Sequence, residues 1–204
     1  MKRTVTTAPL PAALFAMAAL FVAVPAAARP QSYAEMIRGA LVPTPVGYAA
    51  MCNSDPQLCG AMAGVGAQAE PITEKQRMKL LRKVNRRVNS RVHQQYDVSE
   101  QWRPSGIGPG AVGDCEDLAI EKRMELISLG FPPKDLFFAI GYLGGEGLHA
   151  VLVAHTAKGD LVLDSRTPWT SEWSRTPYVW LVRQSDIDPS VWLSAIPNGT
   201  PDSV

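Results

Sequence analysis

The sequence predicts one α+β domain behind a short leader, and two patterns carry that class. Between residues 73 and 129 the apolar side chains recur every three or four positions, which is helical, whereas from 136 to 182 they fall in short β-branched and aromatic runs separated by glycine-containing turns. Helices that precede the strands pack on one side of an antiparallel sheet instead of alternating around a parallel one. With 204 residues, 46% hydrophobic and 19% charged, the chain is neither disordered nor a multi-span membrane protein.

Residues 1–28 read as a cleavable export signal. Lys2 and Arg3 form a basic start, Ala12 to Val24 is apolar, and Ala26-Ala27-Ala28 supplies the small residues a signal peptidase needs. The apolar stretch is flanked by Pro9, Pro11 and Pro25 and is shorter than the ~20 residues of a spanning helix. The mature domain is thus expected over 29–204, in an oxidising compartment, most simply a bacterial periplasm. Losing Lys2 and Arg3, with no acid, takes the net charge from +1 to −1. A nucleic-acid partner is not expected at that charge.

Cys52 and Cys59 lie close together in a Pro-, Gly- and Asn-containing stretch that can turn the chain and bridge them. A disulfide is the expected reading, because no second Cys or His pair follows with the spacing of a zinc site. Cys115 is left free.

Thr73 to Glu100 carries Met78, Leu81, Val84, Val88, Val92 and Tyr96 at helical spacing, with eight Lys and Arg residues between Lys75 and Arg91. A basic face of this kind can meet nucleic acid or anionic lipid, but the near-neutral chain favours a solvated surface. Gln101 to Gly113 holds too much Gly and Pro for a regular element and forms a loop. It delivers the chain to a second helix, Cys115 to Leu129, with Ile120, Met124 and Ile127 on its buried face and a stop at Gly130. Strands are expected over Leu136–Leu143, His149–His155, Leu161–Asp164 and Tyr178–Val182.

Gly113-Asp114-Cys115-Glu116-Asp117 places the unpaired cysteine in the first turn of a helix, where free N–H groups and the helix dipole favour a thiolate and can bind an oxyanion. Most single cysteines are inert core residues, so a base and its orienting acid are needed to make this one a nucleophile. His149 begins a strand and Asp164 ends the next. If the intervening turn centres on Thr156 and Ala157, the two lie opposite each other; if it centres on Lys158 and Gly159, Asp164 lies opposite Val153. Both registers keep the two side chains on one face, as a thiol–imidazole–carboxylate set requires. His155 sits at the turn end of the hairpin and His93 on the basic helix, and neither is assigned a role.

These segments resemble the bacterial transglutaminase-like cysteine proteinases. The match runs through Gly113 to Asp117 with Ala119-Ile120 and Lys122-Arg123, Leu148 to Leu152, and Gly159 to Arg166. It extends to Pro45, Cys52, Cys59, Asn85, Asn89, Trp102, Trp180, Arg183-Gln184 and Asp188-Pro189. The resemblance implies a papain-like α+β fold with Cys115 as nucleophile, His149 as general base and acid, and Asp164 as the orienting carboxylate. It also implies Ca²⁺ bound by Asp114 and Glu116, with Asp117 as a further ligand. A hard cation there has a physical reason, since acids beside a cysteine oppose its ionisation, whereas the same acids could simply meet the helix dipole or cap the helix.

The family further implies a protein substrate, a cell-surface adhesin, and an inner-membrane regulatory partner that senses cyclic di-GMP. Two other functions use the same residues: transglutaminase- or amidase-type acyl transfer, and a catalytically silent module that docks a partner in the cleft. The loop Ser105 to Val112 departs from the family pattern, and the segment Gly141 to Gly147 is unusually rich in glycine. Both are expected to border the cleft, so substrate choice transfers least well.

Overall fold

A computed structural model describes residue 1 and residues 35–59, 72–97 and 100–196. The chain divides into units of residues 1–31 and 32–204; the expected leader lies outside the described residues, apart from Met1, and the architecture below belongs to the second unit.

In chain order the elements are β1 (Leu41–Val42), α1 (Val46–Ser54), α2 (Pro56–Cys59), α3 (Glu74–Arg91), β2 (His93–Gln94), β3 (Val112–Gly113), α4 (Cys115–Ser128), β4 (Leu136–Leu143), β5 (Gly147–Thr156), β6 (Gly159–Leu163), β7 (Thr170–Glu172), β8 (Val179–Gln184) and β9 (Trp192–Ser194). Seven strands make one antiparallel sheet in the order β1-β9-β8-β4-β5-β6-β7, and β2 pairs with β3 in parallel. The four expected strands are its centre; β1, β7 and β9, of two or three residues each, are too short for a period-2 pattern to show. One sheet face packs Phe138, Leu152, Ala154 and Leu163 against Leu81, Val84 and Val88 of α3 and Leu118 and Leu126 of α4. The other buries Phe137, Ala139, Val151, Val153 and Val162 with Met36, Trp173, Tyr178 and Trp180.

Helix α3 begins at a capping box, in which Thr73 Oγ1 accepts from Gln76 N–H and Gln76 Oε1 accepts from Thr73 N–H. It ends at Arg91, short of the expected Glu100. His93 N–H instead donates to Ala111 O at 2.9 Å and Gln95 N–H to Gly113 O at 3.0 Å, so a tertiary strand pair overrides the helical spacing that continues to Tyr96. His93 therefore lies on β2, exposed, and not on the basic helix. Helix α4 stops where Gly130 predicts: Gly130 takes a φ of 86°, its N–H reaches Ile127 O at 2.9 Å and Phe131 N–H reaches Leu126 O at 2.9 Å, a Schellman closure.

The β5–β6 hairpin pairs Leu152 with Leu163 and Thr156 with Gly159, so its turn is Ala157-Lys158. This lies between the two expected centres and corrects both. Neither full opposition of His149 and Asp164 nor Asp164 opposite Val153 occurs; continuing the register by one step sets Asp164 across from Val151. Because all three registers differ by two residues, His149 and Asp164 keep the same sense of alternation. Strand β5 pairs with β4 from Gly147 to Ala154 but with β6 only from Leu152, which leaves one edge of residues 147–151 uncovered by strand.

Candidate active site

Cys115 is the first residue of α4 and docks at that uncovered edge. Its sulfur accepts the Ala150 N–H at 3.4 Å, one residue from His149, and its thiol donates to Glu116 Oε2 at 3.0 Å. Gly113 holds the entry to the helix tight, since a Cβ there would stand 2.8 Å from Asp117 Cβ and 2.9 Å from Ser105 Cβ.

His149 is 7% exposed and its ring is held by Asp164 and Tyr178. Its Nε2 shares a proton with Asp164 Oδ1 at 2.8 Å, which leaves Nδ1 as the ring nitrogen Asp164 does not engage. Its ring stacks on Tyr178, centroids 5.4 Å apart and planes 20° from parallel. Gly141, paired with His149, makes room for that stack, because a Cβ there would come within 2.9 Å of Tyr178 Cβ. Asp164 also accepts from the Tyr178 hydroxyl at 2.5 Å and the Arg166 N–H at 2.9 Å. Burial alone would raise its pKa, but these donors, His149 first, hold the carboxyl below its ordinary range.

The backbone around Asp164 is pinned from two helices. Asn89 of α3 donates to Asp164 O and Thr167 O, each at 2.8 Å. Lys122 of α4, fully buried two turns after Cys115, donates its Nζ to Leu163 O at 3.2 Å, and burial pushes its pKa down to about 7. The sequence reading left Tyr178 and Lys122 without a role. A tyrosine before a strand and a lysine on a helix carry no local signal of being buried beside a carboxylate.

The surroundings of the sulfur oppose the thiolate that the helix tip favours. Burial raises the Cys115 pKa well above the ordinary thiol range, and the charge and hydrogen bond of Glu116 raise it further. The helix tip is opposed by its own acids.

Asp114 is the N-cap of α4 but makes no side-chain capping bond. One of its carboxylate oxygens, Oδ2, receives the Asp97 N–H at 3.4 Å; the other, Oδ1, is buried with no hydrogen-bond partner. Glu116 is buried, and burial pushes its pKa up to about 7. Asp117, pushed up to about 6 by burial, is occupied by the Arg103 N–H at 2.9 Å and ties down the loop before the site. Among the described residues no three Asp, Glu, His or Cys side chains converge as a ready-made metal cage. An orphaned carboxylate oxygen and a second buried acid beside it nevertheless fit a hard cation that completes its shell with carbonyls and water.

Two other sequence features have structural roles. Cys52 and Cys59 form the expected disulfide, and Cys115 is free. His155 bonds Asp160 at 2.8 Å, and Asp160 in turn accepts the Met36 N–H at 2.6 Å, which fastens the chain before β1 to the sheet. A groove of about 1030 Å³ along the basic outer face of α3 shares no residue with the thiol, the imidazole or Asp164.

A free thiol at a helix tip, beside a hydrogen-bonded His–Asp pair on an antiparallel sheet, defines a cysteine peptidase of the transglutaminase-like class. Residues 38–199 match the family model for bacterial transglutaminase-like cysteine proteinases, and the chain belongs to that family. Among solved structures, it is similar to calcium-bound LapG of Legionella pneumophila at 23% identity over 62% of this chain and 74% of that one, with a TM-score of 0.48. It is also similar to EGTA-treated LapG of the same organism at 25% identity over 57% and 66% of the two chains, with a TM-score of 0.48. No curated protein matches the chain.

Proposed function

We propose that the protein is an exported endopeptidase in which Cys115 is the nucleophile, His149 the general base and acid, and Asp164 the carboxylate that orients the imidazole. The observation that carries this reading is the bond between His149 Nε2 and Asp164 Oδ1, because it fixes the tautomer and leaves Nδ1 for the sulfur. In the first step the Cys115 proton passes to Nδ1 as the sulfur attacks a backbone carbonyl. The C–N bond then breaks, the leaving amine takes the proton from the imidazolium, and an acyl-enzyme remains. Water adds to the thioester with His149 as base, releasing the carboxylic acid and restoring the thiol. Because burial and Glu116 oppose the thiolate, ionisation of the sulfur is coupled to the attack on a bound substrate.

Asp114 and Glu116 would hold Ca²⁺, which supplies positive charge next to the sulfur and neutralises the acids that oppose its ionisation. The leader and the Cys52–Cys59 disulfide support a periplasmic location. The substrate is accordingly an exported protein, and the family resemblance points to a surface adhesin under the control of an inner-membrane regulatory protein.

The test uses the chain from residue 29 onward, with peptide hydrolysis and amine incorporation measured in parallel and Cys115 probed with a thiol-reactive epoxide. Hydrolysis and labelling that both vanish in Cys115→Ala, with the fold retained, are expected. Turnover that survives the substitution would end this reading, and amine incorporation without hydrolysis would replace it with acyl transfer.

A further inference from the structure

Three exposed apolar side chains stand in one row across the sheet. Tyr142 on β4 pairs with Leu148 on β5 and with Val179 on β8, and the three are 39%, 62% and 62% exposed. Directly paired residues of antiparallel strands share a face and lie about 5 Å apart, so they form a continuous apolar strip. Immediately behind it, Ala150 and Leu152, on the same face as Leu148, are buried in the core that α4 helps to form.

The strip is bare because that helix starts too late to cover it. Helix α4 begins at Cys115, whose sulfur takes the Ala150 N–H, and Leu148 lies two residues back towards the start of β5, about 7 Å away. The apolar row therefore begins where the helix and its thiol end. Glu146, in the β4–β5 turn, is paired with Arg166. An exposed apolar strip of this kind marks a binding surface.

We propose that the row Leu148, Tyr142 and Val179 is a specificity subsite that receives an apolar side chain of the peptide substrate. An extended chain advances about 3.3 Å per residue, so the side chain it receives stands about two residues from the scissile bond. The proposal rests on the peptidase reading above. It adds a chemical preference: the enzyme selects substrates with an aliphatic or aromatic residue at that position.

Peptides from a digested bacterial proteome are incubated with wild type, Leu148→Asp and Val179→Lys, and the new termini are read by mass spectrometry. The wild-type profile is expected to be enriched in apolar residues at one position near the cut. In each variant the ratio of kcat/KM for matched peptides bearing leucine or glycine there should fall about tenfold. The new acid in Leu148→Asp should also admit basic side chains. The variants lie at opposite ends of the row, so one that fails to fold, judged by thermal unfolding, leaves the other to decide.

A wild-type profile without apolar enrichment, or folded variants with the wild-type profile, would overturn the subsite. So would variants that change only self-association, which would make the strip an interface between copies of the chain. A wild type that cleaves no peptide, with Cys115 inert to the epoxide, would remove the peptidase reading and the subsite with it.

Discussion

Tyr178 holds Asp164 with its hydroxyl, at 2.5 Å, while its ring lies flat against the imidazole that Asp164 orients. One side chain thus sets both the carboxylate and the plane of His149. Tyr178→Phe keeps the ring and removes only the donor to a buried carboxylate, a bond worth about 2 kcal/mol. Steady-state kinetics should show kcat reduced by about ten- to a hundredfold with KM little changed. An unchanged kcat would make Tyr178 only a packing residue.

Asn89 bridges two carbonyls of the segment that follows β6. Asn89→Ala would leave those acceptors without their donor, so stability measured by urea unfolding should fall by about 1–3 kcal/mol. Activity should fall as well, because the same segment carries Asp164.

Lys122 couples stability to pH. Its pKa is pushed down from 10.5 to about 7 in the folded protein, so between pH 7 and 10.5 the unfolded chain binds the extra proton. The contribution of Lys122 to stability therefore rises with pH across that window, and the cost of burying the ammonium is fully present below pH 7. Lys122→Met should flatten the slope of the urea midpoint against pH and should be no less stable than wild type near neutrality. A slope identical in both proteins would place the titration elsewhere.

The acids beside Cys115 are expected to govern when its thiol ionises. Glu116→Gln removes the charge that raises the thiol pKa and replaces a carboxylate acceptor with a weaker amide one. In the presence of a chelator, the midpoint of the pH profile for alkylation by iodoacetamide should accordingly move to lower pH than in the wild type. Calcium added to the wild type should shift the midpoint in the same direction, and exhaustive chelation should lower peptidase activity. Indifference of the wild type to both would leave Asp114 and Glu116 without a metal.

The thiol at the helix tip was legible in the chain. A Gly- and Pro-rich loop followed at once by helical spacing and closed by Gly130 allows few other arrangements, and the two upstream cysteines leave Cys115 unpaired. The shared alternation of His149 and Asp164 was legible as well, because every hairpin register compatible with the turn differs by an even number of residues. The actual turn, Ala157-Lys158, was not, since neighbouring two-residue turns differ little in local preference.

Local pattern by itself thus determined which residues are the candidates for the chemistry and the class of fold that presents them. Tertiary structure decided the rest. The end of α3 at Arg91 depends on β3, which lies further along the chain, and the raised pKa of the sulfur depends on burial beside Glu116. The placement of Tyr178 and Lys122 beside the His–Asp pair depends on strands and helices that meet only in the folded sheet. Desolvation and cross-strand contacts have no counterpart in sequence spacing, which is why these features appear only once the chain is packed.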